Sequence, residues 1–275
     1  AGVNRVGLGG TWWDRVAGSF RVGVPDLATL LPGYAGEVRG AGRVGGTTAR
    51  PTLDLDLTGS NLATGDLRIR SLTARGGLGA RQQLEVDANA GGIVYAGQVI
   101  GDLAVAVSGP LESHAVTLAL TGGDIAAGLR TTGSYRNGVV TQTIGSGNVT
   151  ILGDQRWTLR EPATVRIAGA DAAVTAHCWT TGGAELCLAD SRYRPQGFSG
   201  GVDLRNFPLS GLAPWLPADI GLAGTATASL VLEGDPRRLE DSLRGSLAGS
   251  LADAVITSRV PDDEDVQTTL TEFNV

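Results

Sequence analysis

The sequence predicts an all-β fold, and three observations predict it. Apolar and polar residues alternate with a period of two in short runs, the pattern of strands, whose successive side chains point to opposite faces. Gly, Asn and Asp clusters punctuate these runs about every 12 residues, a spacing that suits all-β architectures. Helical periodicity is confined to two short proline-bounded segments.

The strands read off in order. Leu53, Leu55 and Leu57 alternate with Asp54 and Asp56, and Leu67 and Ile69 alternate with Arg68 and Arg70. The next sets are Leu84 and Val86, then Leu103, Val105 and Val107, then Val116, Leu118 and Leu120. Val149 and Ile151, Val165 and Ile167, and Leu230 and Leu232 complete them. Thr58-Gly59-Ser60-Asn61, Arg136-Asn137-Gly138 and Gly145-Ser146-Gly147-Asn148 read as breaks between strands. Pro25 to Pro32 fits one or two helical turns, as does Pro208 to Pro217.

Those two segments open the copies of an internal repeat. Val24–Gly46 and Phe207–Gly234 each run from an apolar residue and Pro through a Leu-rich turn, Leu-Pro and a Gly-led strand to a closing Gly. The expected organisation is a strand-like N-terminal end over 1–23, a β-rich module over 24–206, and the start of a second, repeat-like module over 207–275.

Composition narrows the function. Gly supplies 42 of 275 residues, about twice the usual share. The hydrophobic share of 42% is enough for ordered structure. Aromatics make up 5%, so the apolar content is aliphatic. A net charge of −6 argues against nucleic acid as a partner, because phosphate neutralisation needs a basic surface. No apolar run approaches the roughly 18 residues of a membrane span. The chain opens at Ala1 and contains no Met, and we read it as an internal segment of a longer, secreted protein.

The two cysteines, Cys178 and Cys187, flank Gly182-Gly183, a strong two-residue hairpin turn. Folding there pairs Thr181 with Ala184, Thr180 with Glu185, Trp179 with Leu186 and Cys178 with Cys187. The last pair falls on a non-hydrogen-bonded position, where Cα atoms approach to roughly 4.5 Å, close enough for a disulfide. A disulfide implies an oxidising compartment. Reduced structural thiols are the alternative. A metal site using His177 is disfavoured, since adjacent strand residues face opposite ways.

Catalytic patterns are missing. His114 and His177 are the only histidines, and there is no nucleophile elbow or phosphate loop. The acidic run Pro261-Asp262-Asp263-Glu264-Asp265 reads as a solvated loop. We expect no enzyme activity, no cofactor and no metal.

The run Trp157-Thr158-Leu159-Arg160-Glu161-Pro162-Ala163, followed by Cys178-Trp179, Leu186-Cys187-Leu188, Phe207-Pro208-Leu209-Ser210-Gly211-Leu212 and Leu216-Pro217, resembles the TamB family. So does Gly109-Pro110-Leu111-Glu112-Ser113-His114 with the strand after it. The order of these weak motifs, spread over residues 24–250, carries the resemblance. It implies a long sheet curled into an open trough, a β-taco, with an apolar interior and very few short helices. It also implies a periplasmic location, an inner-membrane anchor outside this sequence, and a TamA-like outer-membrane barrel partner. The implied function is moving phospholipid between inner and outer membranes and supporting outer-membrane protein assembly. A chaperone-like scaffold without lipid transport and a structural or adhesive surface β-protein are the competing readings.

If one strand face lines such a groove, it holds phospholipid acyl chains. The candidate lining residues are Leu53, Leu55, Leu57, Leu67, Ile69, Leu103, Val105, Val107, Val116, Leu118, Leu120, Val165, Ile167, Leu230 and Leu232. Asp54, Asp56, Arg68, Arg70, Thr117 and Arg166 should then face water. A closed sandwich would bury the same candidates against a second sheet. Stacking about 23 strands at roughly 4.8 Å predicts a sheet about 110 Å long.

Overall fold

The computed structural model describes residues 5–12, 15–151, 155–217, 219–258, 266–270 and 273–274. Twenty-one strands are found among them, with two 3-10 turns, Leu27–Thr29 and Leu209–Trp215, and one four-residue helix, Leu239–Ser242. The chain separates into two units, residues 1–135 and 136–275.

The first unit is an antiparallel meander in which each strand pairs with the next. Its strands are β1 (Arg5–Trp12), β2 (Val16–Val24), β3 (Tyr34–Gly46), β4 (Pro51–Thr64), β5 (Leu67–Leu78), β6 (Gln83–Tyr95), β7 (Gln98–Pro110), β8 (His114–Thr121) and β9 (Ala126–Arg136). A column of irregular positions crosses its middle. Gly36 has φ 109°, Asn61 50°, Gly92 63° and Gly101 104°. Register shifts fall beside them, between Ala35 and Glu37 and between Ala90 and Ile93. Each bulge adds a residue, bends its strand and reverses the alternation. The inward set therefore changes parity across the column: Leu67 and Ile69 before it are followed by Leu72 and Ala74 after it. Thr58-Gly59-Ser60-Asn61 is thus a bulge within β4 and not a turn. The clash-free geometry there depends on Asn61, because Asn adopts a positive φ more readily than most residues.

The second unit begins with β10 (Val139–Ile151), which contains Gly145-Ser146-Gly147-Asn148 inside an unbroken strand. Three following passes are each made of two collinear strands. They are β11 (Gln155–Leu159) with β12 (Ala163–Ala168), β13 (Asp171–Val174) with β14 (His177–Thr181), and β15 (Ala184–Leu188) with β16 (Ser191–Arg194). β10 pairs with both strands of the first pass. β17 (Gly197–Pro208) pairs with both strands of the last, and the pass ends there. The breaks line up as a crease, where side chains and main chain replace ladder bonds. The Ala176 amide donates to Asp190 Oδ1 at 2.8 Å, and the Thr164 amide to Thr175 Oγ1 at 2.9 Å. β18 (Ile220–Gly234) and β19 (Arg244–Ser258) follow in order, and β20 (Val266–Leu270) and β21 (Phe273–Asn274) pair with β19.

The two repeat copies adopt one local design. In each, a strand ends at an apolar residue and Pro, and a 3-10 turn leads into a strand with a positive-φ Gly: Gly36 at 109° and Gly224 at 99°. The partner strand carries a non-Gly residue at φ 50° opposite that glycine, Asn61 in one copy and Asp253 in the other. A Cβ on Gly36 or Gly224 would lie 2.5 Å from the carbonyl oxygen of that residue, so the strands close only over glycine.

Candidate functional site

The register of the first unit assembles the predicted residues into cross-strand rows on one face. Leu55, Gly76, Val86, Val107 and Val116 form one row. Leu57, Ala74, Ala88, Val105 and Leu118 form the next. Leu72, Ala90, Leu103 and Leu120 form a third. Leu53 stands in line with Leu78 and Leu84 at the border of the face, where it is 41% exposed. Beyond the bulge column, Leu67 and Ile69 line an apolar hollow of about 220 Å³ with Leu27, Val38 and Leu62. Leu27 comes from the first 3-10 turn, which roofs that end of the face.

The opposite face is charged. Asp54, Asp56, Arg68, Arg70 and Thr117 are all exposed. Asp56 pairs with Arg75 at 3.3 Å, and Asp54 stands across from Arg43. Such opposite-sign neighbours stabilise a sheet modestly and keep that face in water.

In the second unit, Leu230 and Leu232 line an apolar hollow of about 350 Å³ with Val174, Leu188, Phe198 and Val202. Val165 pairs with Val174, and Ile167 reaches Tyr193 and Phe198 through Ala172. Ile167 is 43% exposed, and Arg166 beside it faces the other way and is exposed. The hollow exists because small residues, Ser191 and Gly200, stand between the larger ones. Nearby on the same face, Trp157, Ala184 and Phe207 form a buried cluster. Trp179, Leu186, Leu204 and Leu212 pack against it, Leu212 from the second 3-10 turn.

Sequence reasoning missed several residues of these surfaces. Trp157 and Leu159, and Val202 and Leu204, carry the alternation signal that marks the others. Tyr193 does not, because its strand β16 is only four residues long, and Phe198 does not, because Gly200 separates it from Val202 and Leu204 in β17.

Cys178 and Cys187 are disulfide-bonded across β14 and β15, with Cα atoms 4.0 Å apart. The hairpin pairs Thr181 with Ala184, Thr180 with Glu185 and Trp179 with Leu186. Alternation puts the disulfide on the polar face and Trp179 and Leu186 on the apolar one. Glu185, beside the disulfide, is ion-paired with Arg160 and, at 3.4 Å, with Arg205. His177 is buried on the apolar face, where its Nδ1 lies 2.9 Å from the Thr175 carbonyl and its ring meets Trp179 edge-on. It does not join the cysteines. The acidic run at 261–265 lies outside the described residues.

No large side chain among the described residues is fully buried. No helix among them is long and apolar enough to cross a membrane. Creased antiparallel sheets with one charged face and one half-covered aliphatic face define the class of β-protein to which the described residues conform.

Comparison with known proteins gives the family. The family model described as "TamB, N-terminal domain" matches residues 1–261. The chain belongs to the TamB family. It is 24% identical over 209 residues to the translocation and assembly module subunit TamB of Haemophilus influenzae, covering 73% of this chain. The match spans 15% of that relative's length. No solved structure matches.

Proposed function

We propose that the chain is a periplasmic segment of a TamB-like bridge whose apolar sheet faces carry phospholipid acyl chains between the inner and outer membranes. One observation supports this above the rest. Rows of Leu, Val and Ala, interrupted only by Gly76, run across neighbouring strands, yet all their members but Ala90 stay only half-buried. In a closed sandwich the inner faces interdigitate into a dry core, and the same residues would be covered. Aliphatic rows left in this state gain free energy from contact with hydrocarbon, because the apolar area then leaves water. Patches of this kind mark interaction surfaces.

The remaining parts of the reading rest on family membership. An anchor in the inner membrane lies outside this sequence. A TamA-like barrel in the outer membrane receives the bridge, and the segment supports outer-membrane protein assembly without catalysing a reaction. The 24–206 and 207–275 stretches act as successive modules of that bridge, each opened by a Pro-led 3-10 turn.

The test is mass spectrometry of the apolar material that co-purifies with the chain, run beside crosslinking to nascent barrel proteins. Glycerophospholipid is the expected occupant. A chain that retains no lipid and crosslinks only to unfolded barrel strands is a protein scaffold, and the lipid reading falls.

A further inference from the structure

Two polar side-chain atoms of the second unit are buried without a hydrogen-bond partner: Nε1 of Trp157 and Oε1 of Gln155. The two residues alternate along β11 and so share its apolar face. Trp157 is 5% exposed and stacks on Phe207, with ring centroids 6.4 Å apart and planes 9° from parallel. The turn Leu209–Trp215 lies over Gln155, so close that a Cβ on Gly211 would meet the Gln155 Nε2 at 1.7 Å. No side-chain cap bond holds the start of that turn. Leu209 and Leu212 seat it by apolar contact.

A buried donor and a buried acceptor left unmade are costly, and native structures rarely keep them without a reason. Here the two are complementary in kind, set side by side on a face that is otherwise hydrocarbon. A ligand that satisfies both must bring one acceptor and one donor, joined to apolar chains that spread over the neighbouring Leu and Phe side chains. The interfacial region of a diacyl phospholipid has this chemistry, with ester acceptors beside headgroup donors. Its ester carbonyl accepts from the indole N–H, and a headgroup hydroxyl or ammonium donates to the amide oxygen.

We propose that Gln155 and Trp157 form a polar subsite that registers the ester–glycerol region of a diacyl lipid, reached when the Leu209–Trp215 turn lifts. The inference rests on the reading that the apolar face carries lipid.

The experiment measures binding of diester and diether phosphatidylethanolamine, which differ only in the carbonyls, to the full 275-residue chain. The wild type should prefer the diester by about tenfold, the effect of one hydrogen bond in dry surroundings. Trp157→Phe keeps an aromatic ring beside Phe207 and removes the donor together with three ring atoms. It should bring the two lipids within about twofold of each other, with the lower Tm that a core cavity brings. Benzothienylalanine at position 157 replaces the N–H by sulfur in the same shape, and should abolish the ester preference with Tm unchanged. A wild type with no ester preference overturns the subsite, and this is also what a pair satisfied by water would show. A preference that survives in the variant overturns it too. Failure to bind either lipid, with or without capture of a barrel-strand peptide, overturns instead the lipid reading on which the subsite rests.

Discussion

Cys178 and Cys187 close a loop on the charged face of the second unit, one strand position from the Trp179–Leu186 pair that packs into the buried cluster. The covalent link therefore fixes the register that delivers Trp179 to the apolar side. The loop is short, so its removal should cost on the order of 2–3 kcal/mol. Thiol labelling of the unreduced, denatured chain should find none free, and two free thiols per chain would contradict the pairing. Gly76 bears a different constraint. It has φ 120°, and a Cβ there would fall 1.8 Å from the Glu85 carbonyl oxygen. Gly76→Ala should destabilise by about 1–3 kcal/mol, since strain and a backbone clash act together. Urea unfolding reads this out, and a midpoint unchanged from wild type would mean that β5 and β6 do not approach so closely.

Elements of this protein are shaped by where they are interrupted. β4 keeps its aliphatic residues on one face only because Ser60 and Asn61 insert a bulge at the point where alternation changes from Leu57 and Gly59 to Leu62 and Thr64. Asn61 sits at φ 50°, a conformation that is poor for branched side chains. Asn61→Val should cost about 1–2 kcal/mol, while Asn61→Gly should be close to neutral. Circular dichroism melts of the two variants distinguish them, and equal melting temperatures would argue against the positive φ. The 3-10 turns are interruptions of the same sort. Each follows a proline, which ends the ladder by withholding an N–H, and each sets leucine side chains over the apolar face.

For the molecule as a whole, the choice between an open face and a closed core is a choice about where a charge can go. Val105 lies in the middle row of the first unit, between Ala88 and Leu118, and is half-buried. In a dry core an unpaired carboxylate at this position would be far too costly to tolerate. On a half-covered face it reaches water. Val105→Asp should therefore leave Tm within about 5 °C of wild type while reducing lipid binding severely. A collapse of stability would show that a second layer covers the row. Unchanged lipid binding in a stable variant would show that the row is not the path.

The sequence by itself determined the all-β character, the location of most strands and the hairpin at Gly182-Gly183. These are local matters: alternation reports on burial of one face, and a Gly-Gly turn dictates its own register. It also determined family membership, through an ordered series of weak motifs. What only the tertiary structure decided was the fate of the interruptions. Thr58-Gly59-Ser60-Asn61 and Gly145-Ser146-Gly147-Asn148 look alike as turn signals, yet one is a bulge and the other lies inside a continuous strand where its partner changes from β12 to β11. Glycine permits all three outcomes, and the pairing partner selects among them. The hollow beside Leu230 and the orphaned pair at Gln155 and Trp157 were likewise invisible beforehand. The hollow is lined from β13, β15, β16, β17 and β18, the pair lies under the Leu209–Trp215 turn, and no period in the chain records which small residue will stand opposite which large one.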